Sequence, residues 1–242
     1  MNGGSENIFA GVLLGDQRRA RERLGRRLQR DHRRPVRDDW GGPLVVGGWA
    51  NTAGANFATV VGGRDNKATS ETPADPYTVA YTTVVGGQDN EASGSYACTV
   101  GGAHNFATGD NALAAGGEDN TSEGLSTTIA GGELNVASTQ CAAISGGYQN
   151  TAVGMWSSVS GGFQNQASAS YAHVAGGEGN VASGLSAAVC GGGQNNATYT
   201  RSTVSGGYDN TASGPSATVS GGHLRSAAGE YDWVAGANWQ DQ

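Results

Sequence analysis

A pair of glycines returns every fifteen residues along most of this 242-residue chain. A sequence that keeps such time folds as a stack of equivalent turns, each too small to stand alone. Gly-Gly stands at 47–48, 62–63, 86–87 and 101–102, then at every fifteenth position to 221–222, and Gly236-Ala237 follows in phase. One interval, from Gly62 to Gly86, is twenty-four, so nine additional residues enter near 71–79. Pro73 and Pro76 in that stretch lack the N–H a ladder needs, so it is expected to leave the stack as a loop.

With the first glycine of each pair as place one, three other places keep their chemistry. Place five is Asn at Asn51, Asn66, Asn90, Asn105, Asn120, Asn135, Asn150, Asn165, Asn180, Asn195 and Asn210, and fails only at Arg225. Place seven is Ala throughout except Ser122, and place fourteen is Val or Ile except Thr99 and Ala114. Place nine is usually Gly. Each repeat thus holds two half-units of alternating small residues, such as Asn210-Thr-Ala-Ser-Gly214 and Ala217-Thr-Val-Ser-Gly221. Alternation at period two marks a strand with one buried face. Glycine at each half-unit's end admits the positive φ of a tight corner. Helix is excluded, because interior Gly costs about 1 kcal/mol each and every repeat carries about three. The expected fold is all-β: a parallel solenoid of two sheets back to back, with strands of roughly four or five residues. Equivalent residues then lie about 4.8 Å apart along the stack, where an Asn column can pass amide hydrogen bonds from turn to turn. The eleven asparagines are read as a structural ladder, with an exposed binding strip as the alternative.

Composition agrees with a thin interior. Gly contributes 42 residues, aromatics 7% and charged residues 14%, so burial must rely on Ala, Val, Ser and backbone. At about 25 cal/mol per Å² against roughly 1.5 kcal/mol of ordering per residue, a lone roll is marginal, which favours cyclic self-association. No apolar run reaches the roughly 18 residues of a transmembrane helix, and the N-terminus lacks a signal-peptide core. Cys98, Cys141 and Cys190 are far apart and in unlike contexts, so they form no disulfide framework. Ten of the 14 basic residues lie between positions 18 and 37, leaving four against fifteen acidic residues beyond position 40. Residues 1–40 are expected to stand outside the fold as an Arg-rich segment, and 41–242 to form the repeat domain. No nucleic-acid role is assigned to the basic segment.

These residues resemble the head repeats of trimeric autotransporter adhesins of the YadA type, and similar repeats in bacterial and phage tail fibres. The resemblance covers about Gly47 to Asn238 and rests on motifs such as Asn-Thr-Ala-Ser-Gly. It implies a left-handed β-roll, a side-by-side homotrimer, an extracellular or outer-membrane location and attachment to host-matrix protein or surface glycan, with a role in virulence. The family turn is typically one residue shorter, the second Gly of each pair being the additional one here. The neck, coiled-coil stalk and anchor strands of complete members are not in the sequence, so membrane attachment is expected only through an anchor domain outside it.

Chemistry is sparse. No glycine precedes Lys67 in a phosphate-loop pattern, and Asp occupies place four only at Asp65, Asp89, Asp119 and Asp209, unlike a calcium-binding roll. His32, His104, His173 and His223 show no HxxxH or HExxH spacing. No catalytic residue, metal or cofactor is expected. The recognition candidates are the place-eleven aromatics Phe57, Tyr81, Tyr96, Trp156 and Tyr171, which alternatively lie in the interchain contact. Trp49, Tyr148, Phe163 and Tyr208 recur at place three. Trp233 and Trp239 are expected to cap the last turn. Two further function classes compete: an ice-binding solenoid, which needs a regular Thr column, and a polysaccharide-active β-helix, which needs clustered carboxylates.

Overall fold

The computed structural model describes residues 8–9, 42–70 and 80–236, and these form an all-β parallel solenoid of about 12 turns. The strands run in chain order from β1 (Ile8–Phe9), β2 (Leu44–Val46), β3 (Thr52–Ala53), β4 (Thr59–Val61), β5 (Lys67–Ala68), β6 (Thr83–Val85) and β7 (Glu91–Ala92) to β25 (Ser226–Ala227) and β26 (Trp233–Val234). Odd-numbered strands make one 13-stranded sheet and even-numbered strands the other, every pairing parallel. A third column of single bridges joins place three of successive turns, from Trp49–Arg64 to Tyr208–His223.

The strands are two or three residues long, shorter than the alternation suggested. The reason lies at the corners. Places four and eleven hold non-glycine residues in the left-handed region, for example Asp89 at φ 53°, Tyr96 at 61° and Trp156 at 61°. Ladder N–H groups point to the following turn, as in Lys67 N to Asn90 O at 2.8 Å. A left-handed residue instead points its N–H to the preceding turn, as in Asp65 N to Trp49 O at 2.9 Å and Tyr96 N to Ala80 O at 2.6 Å. Such a conformation costs a residue with a Cβ about 1 kcal/mol, which the extra hydrogen bond offsets. Glycine at place nine therefore has another purpose than positive φ. A Cβ on Gly154 would run into the Ala169 backbone of the next turn, and where place nine carries a Cβ, as at Thr139, Ala169 and Tyr199, the turns on either side have Gly.

Inward places fill a core one side chain thick. Ala at place seven faces Val or Ile at place fourteen, essentially without solvent contact except at Val234 in the last turn, which is partly buried. The core falls into two clusters, Ala53 to Ala114 and Ile129 to Ala227. Between them lies the turn whose place seven is Ser122. Its hydroxyl donates to Thr127 Oγ1 at 2.8 Å, and Thr127 donates to Gly124 O at 2.8 Å, so the exception is satisfied from within its own turn.

The inserted residues 71–79, expected to form a loop, lie outside the described residues. Their flanks keep register: Thr59 pairs with Thr83 and Lys67 with Glu91, each across twenty-four residues. Deleting residues 71–79 restores the fifteen-residue interval at a corner. The far-UV circular dichroism should stay unchanged and stability should move by no more than about 1 kcal/mol. Loss of the β signal would overturn this register.

Of residues 1–40, expected to stand outside the fold, the described ones are Ile8–Phe9, which pair parallel with Thr52–Ala53 at the end of the first sheet. Trp233 does not cap the stack. Its place on β26 turns it outward, 68% exposed, with Nε1 donating to Ser220 Oγ at 2.7 Å. Trp239 lies outside the described residues.

Candidate functional site

A solenoid presents columns, so a site here is built by repetition along the stack. The asparagine column is inside. Each of the eleven is buried. In mid-stack, Asn165 Oδ1 accepts from Asn180 N at 3.0 Å, while its Nδ2 donates to Gly161 O and Gly177 O, both at 2.9 Å. The amide joins its own corner to the next, and its bonds run mainly to backbone. Side-chain amide to side-chain amide bonds of 3.0–3.2 Å occur at Asn105, Asn120, Asn135 and Asn210. At 0–1% exposure the column offers no binding strip.

Place eleven projects outward from its left-handed corner. Phe57, Tyr81 and Tyr96 come together as a stack with centroids 4.6 and 5.1 Å apart, joined across the insertion. Trp156 and Tyr171 occupy the same place further along and are 50% and 59% exposed. Three turns without an aromatic at place eleven separate the two groups, so they do not form one surface. On the opposite corner Tyr148 stacks on Phe163 at 5.5 Å with planes 5° apart. A shallow trough of about 650 Å³ runs over Gly102, Gly117, Gly132 and Gly147, flanked by Ala103, Glu118, Glu133 and Tyr148.

The outer face of the second sheet has a different character. From Leu44 to Val234 its strands carry no Asp, Glu, Lys or Arg. Val46, Val61, Val85 and Val100 form an exposed ridge at its N-terminal end, each 39–51% accessible. Thr recurs at Thr59, Thr83, Thr128, Thr203 and Thr218, never in more than two successive turns.

One pair on this face has the look of chemistry: Ser158 Oγ lies 2.8 Å from His173 Nδ1. It lacks the rest of a nucleophilic site. No carboxylate stands on this face to orient the ring, and the adjacent N–H groups of Ser158 and Ser160 are spent on Ala172 O and Val174 O. The thiols of Cys98, Cys141 and Cys190 are free, and burial pushes the Cys98 thiol up, away from the reactive thiolate.

Among comparisons with known proteins, the family model described as the ubiquitous surface protein adhesin repeat matches residues 202–214. Those residues span one strand of the second sheet, the Gly206-Gly207 corner, Asn210 and the following strand of the first sheet. No curated protein matches the chain.

Proposed function

We propose that the chain is a non-enzymatic attachment domain of a cell-surface adhesin or fibre, displayed as a side-by-side homotrimer and binding host extracellular matrix or surface glycan. The observation that carries this reading is the adhesin-repeat match at residues 202–214, because it covers a turn that the fold repeats in register along the stack. An adhesin needs a rigid, extended body with repeated surface features, and that is what stacked turns provide. Self-association would use the uncharged outer face of the second sheet, where three rolls around an axis bury the valine ridge that each leaves exposed. The place-eleven aromatics, on a corner beside that sheet, remain available to a partner.

The test has two readouts on the full chain. Sedimentation equilibrium should give about three times the 24.4 kDa chain mass. On plates coated with cell-free extracellular matrix the chain should be retained at micromolar concentration, with Tyr96→Ala and Trp156→Ala together lowering retention at least about threefold. A stable monomer that the matrix does not retain would refute both parts. The ice-binding alternative finds no continuous Thr column on the flat face and predicts thermal hysteresis, which is expected to be absent.

A further inference from the structure

We infer that the corner formed by three successive turns around His104 is a binding site for a divalent transition-metal ion, zinc by preference. His104 stands at place four, flanked along the column by Asp89 one turn before and Asp119 one turn after. All three are left-handed, at φ 53°, 52° and 54°, so their side chains leave the backbone in the same direction. His104 Nδ1 lies 3.6 Å from Asp119 Oδ1, and Nε2 lies 3.5 Å from Asp89 Oδ2. Glu118, the residue before Asp119, adds a second carboxylate to the group. One ligand atom from each of His104, Glu118 and Asp119 falls within 4.8 Å of the others.

These separations are too long for direct hydrogen bonds, which close at about 2.7–3.2 Å. They suit a shared cation. With metal bonds of about 2.0–2.2 Å, an N···O separation of 3.6 Å subtends roughly 120° at the ion, open enough for tetrahedral coordination completed by water. Asp89 then has its own task on the far nitrogen. Its Oδ2 is held by Gln88 Nε2 at 2.9 Å and lies 3.5 Å from His104 Nε2, so a closure of about 0.3 Å on metal binding lets it accept from Nε2 and fix the tautomer that leaves Nδ1 free to bind. Among the described residues, the arginine and lysine ion pairs are Arg64 with Asp65 and Lys67 with Glu91, so neither Glu118 nor Asp119 is neutralised by a fixed cation. A nitrogen donor among carboxylates favours zinc over calcium or magnesium, which take oxygen alone. Because the ligands come from different turns, the ion would clasp the stack where the core is interrupted at Ser122.

Zinc chloride titrated into the full chain by calorimetry should show one saturable micromolar site and raise the melting temperature. His104→Ala should weaken binding at least thirtyfold. Asp89→Asn, which touches no metal, should weaken it about tenfold, a loss that a purely surface carboxylate would not give. His223→Ala, at place three of the same corner eight turns further on, should leave it unchanged. Cobalt substitution reports the donor set, and a thiolate charge-transfer band would place the metal on a cysteine and overturn the assignment. So would equal zinc affinity in His104→Ala and the parent, or no saturable binding at 100 µM, a concentration about tenfold above the expected dissociation range. Should His104→Ala misfold by circular dichroism, Glu118→Gln with Asp119→Asn keeps volume and backbone and must lower affinity by the same thirtyfold.

Discussion

Gly102→Ala should break the stack, while Gly101→Ala one residue away should leave it standing. Both glycines have positive φ, 77° and 66°, so backbone strain alone charges each about 1 kcal/mol. Space separates them. A Cβ on Gly101 meets nothing within 4 Å, whereas one on Gly102 runs into the Gly117 carbonyl oxygen and Asn105 Nδ2. Neither obstacle can swing aside, because one is backbone and the other is held in the asparagine column. Turns would have to part there, losing ladder bonds in all three columns, and the cost should exceed about 4 kcal/mol. Thermal melts of the two variants test this, and similar melting temperatures would remove the second glycine from any role in setting turn separation. The same crowding accounts for the second Gly persisting from Gly48 to Gly207 although the first already supplies a flexible corner.

Asn165→Asp should be nearly as damaging. The side chain is 1% exposed and its Nδ2 faces two carbonyl oxygens, Gly161 O and Gly177 O, each at 2.9 Å. Replacing that donor with a carboxylate oxygen sets lone pairs against lone pairs and buries a charge without a cation. About 4 kcal/mol should be lost at neutral pH, against roughly 3 kcal/mol for Asn165→Ala, which leaves three backbone groups unmatched. The pH dependence gives an internal check. Burial and facing carbonyls raise the carboxyl's folded value above its unfolded value near 4, and the protonated form regains a donor. The defect should therefore be smallest below about pH 4 and grow as pH rises through the folded value. An Asn165→Asp chain that melts like the parent at pH 7 would show the column to be dispensable.

How much of this was readable beforehand depends on whether a position's chemistry repeats. Asn at place five and Ala at place seven repeat, so the period, the two parallel sheets and the resumption of register after the insertion follow from spacing alone. The left-handed corners did not show, since place four holds Asp, His, Gln and Leu and place eleven holds Tyr, Trp, Ser and Cys. Their common feature is the direction of an N–H, which no side chain advertises. Place-nine glycine suggested positive φ, and its actual constraint is the nearness of the next turn. Trp233 suggested a lid because aromatics near a solenoid end often serve as one, but the odd-even alternation that placed Val234 inside already required Trp233 to face out. The grouping around His104 escaped a search for histidines three or four residues apart. In a solenoid the relevant neighbours lie one period away, and writing the turns as rows of fifteen puts Asp89, His104 and Asp119 in one column.

The hydrogen bonds between turns all lie along the stack, most from the N–H of one turn to the carbonyl of the next and those of the left-handed corner residues back to the carbonyl of the turn before. Tension applied along that direction therefore loads one junction at a time. When the end turn peels away, fifteen residues come free and supply roughly 45 Å of slack beyond the 4.8 Å they occupied. Turns still stacked keep their shape, since each touches only its neighbours. A particle tethered through this domain in flowing liquid would be let out in equal steps, each absorbing work, before any covalent or membrane attachment felt the full drag.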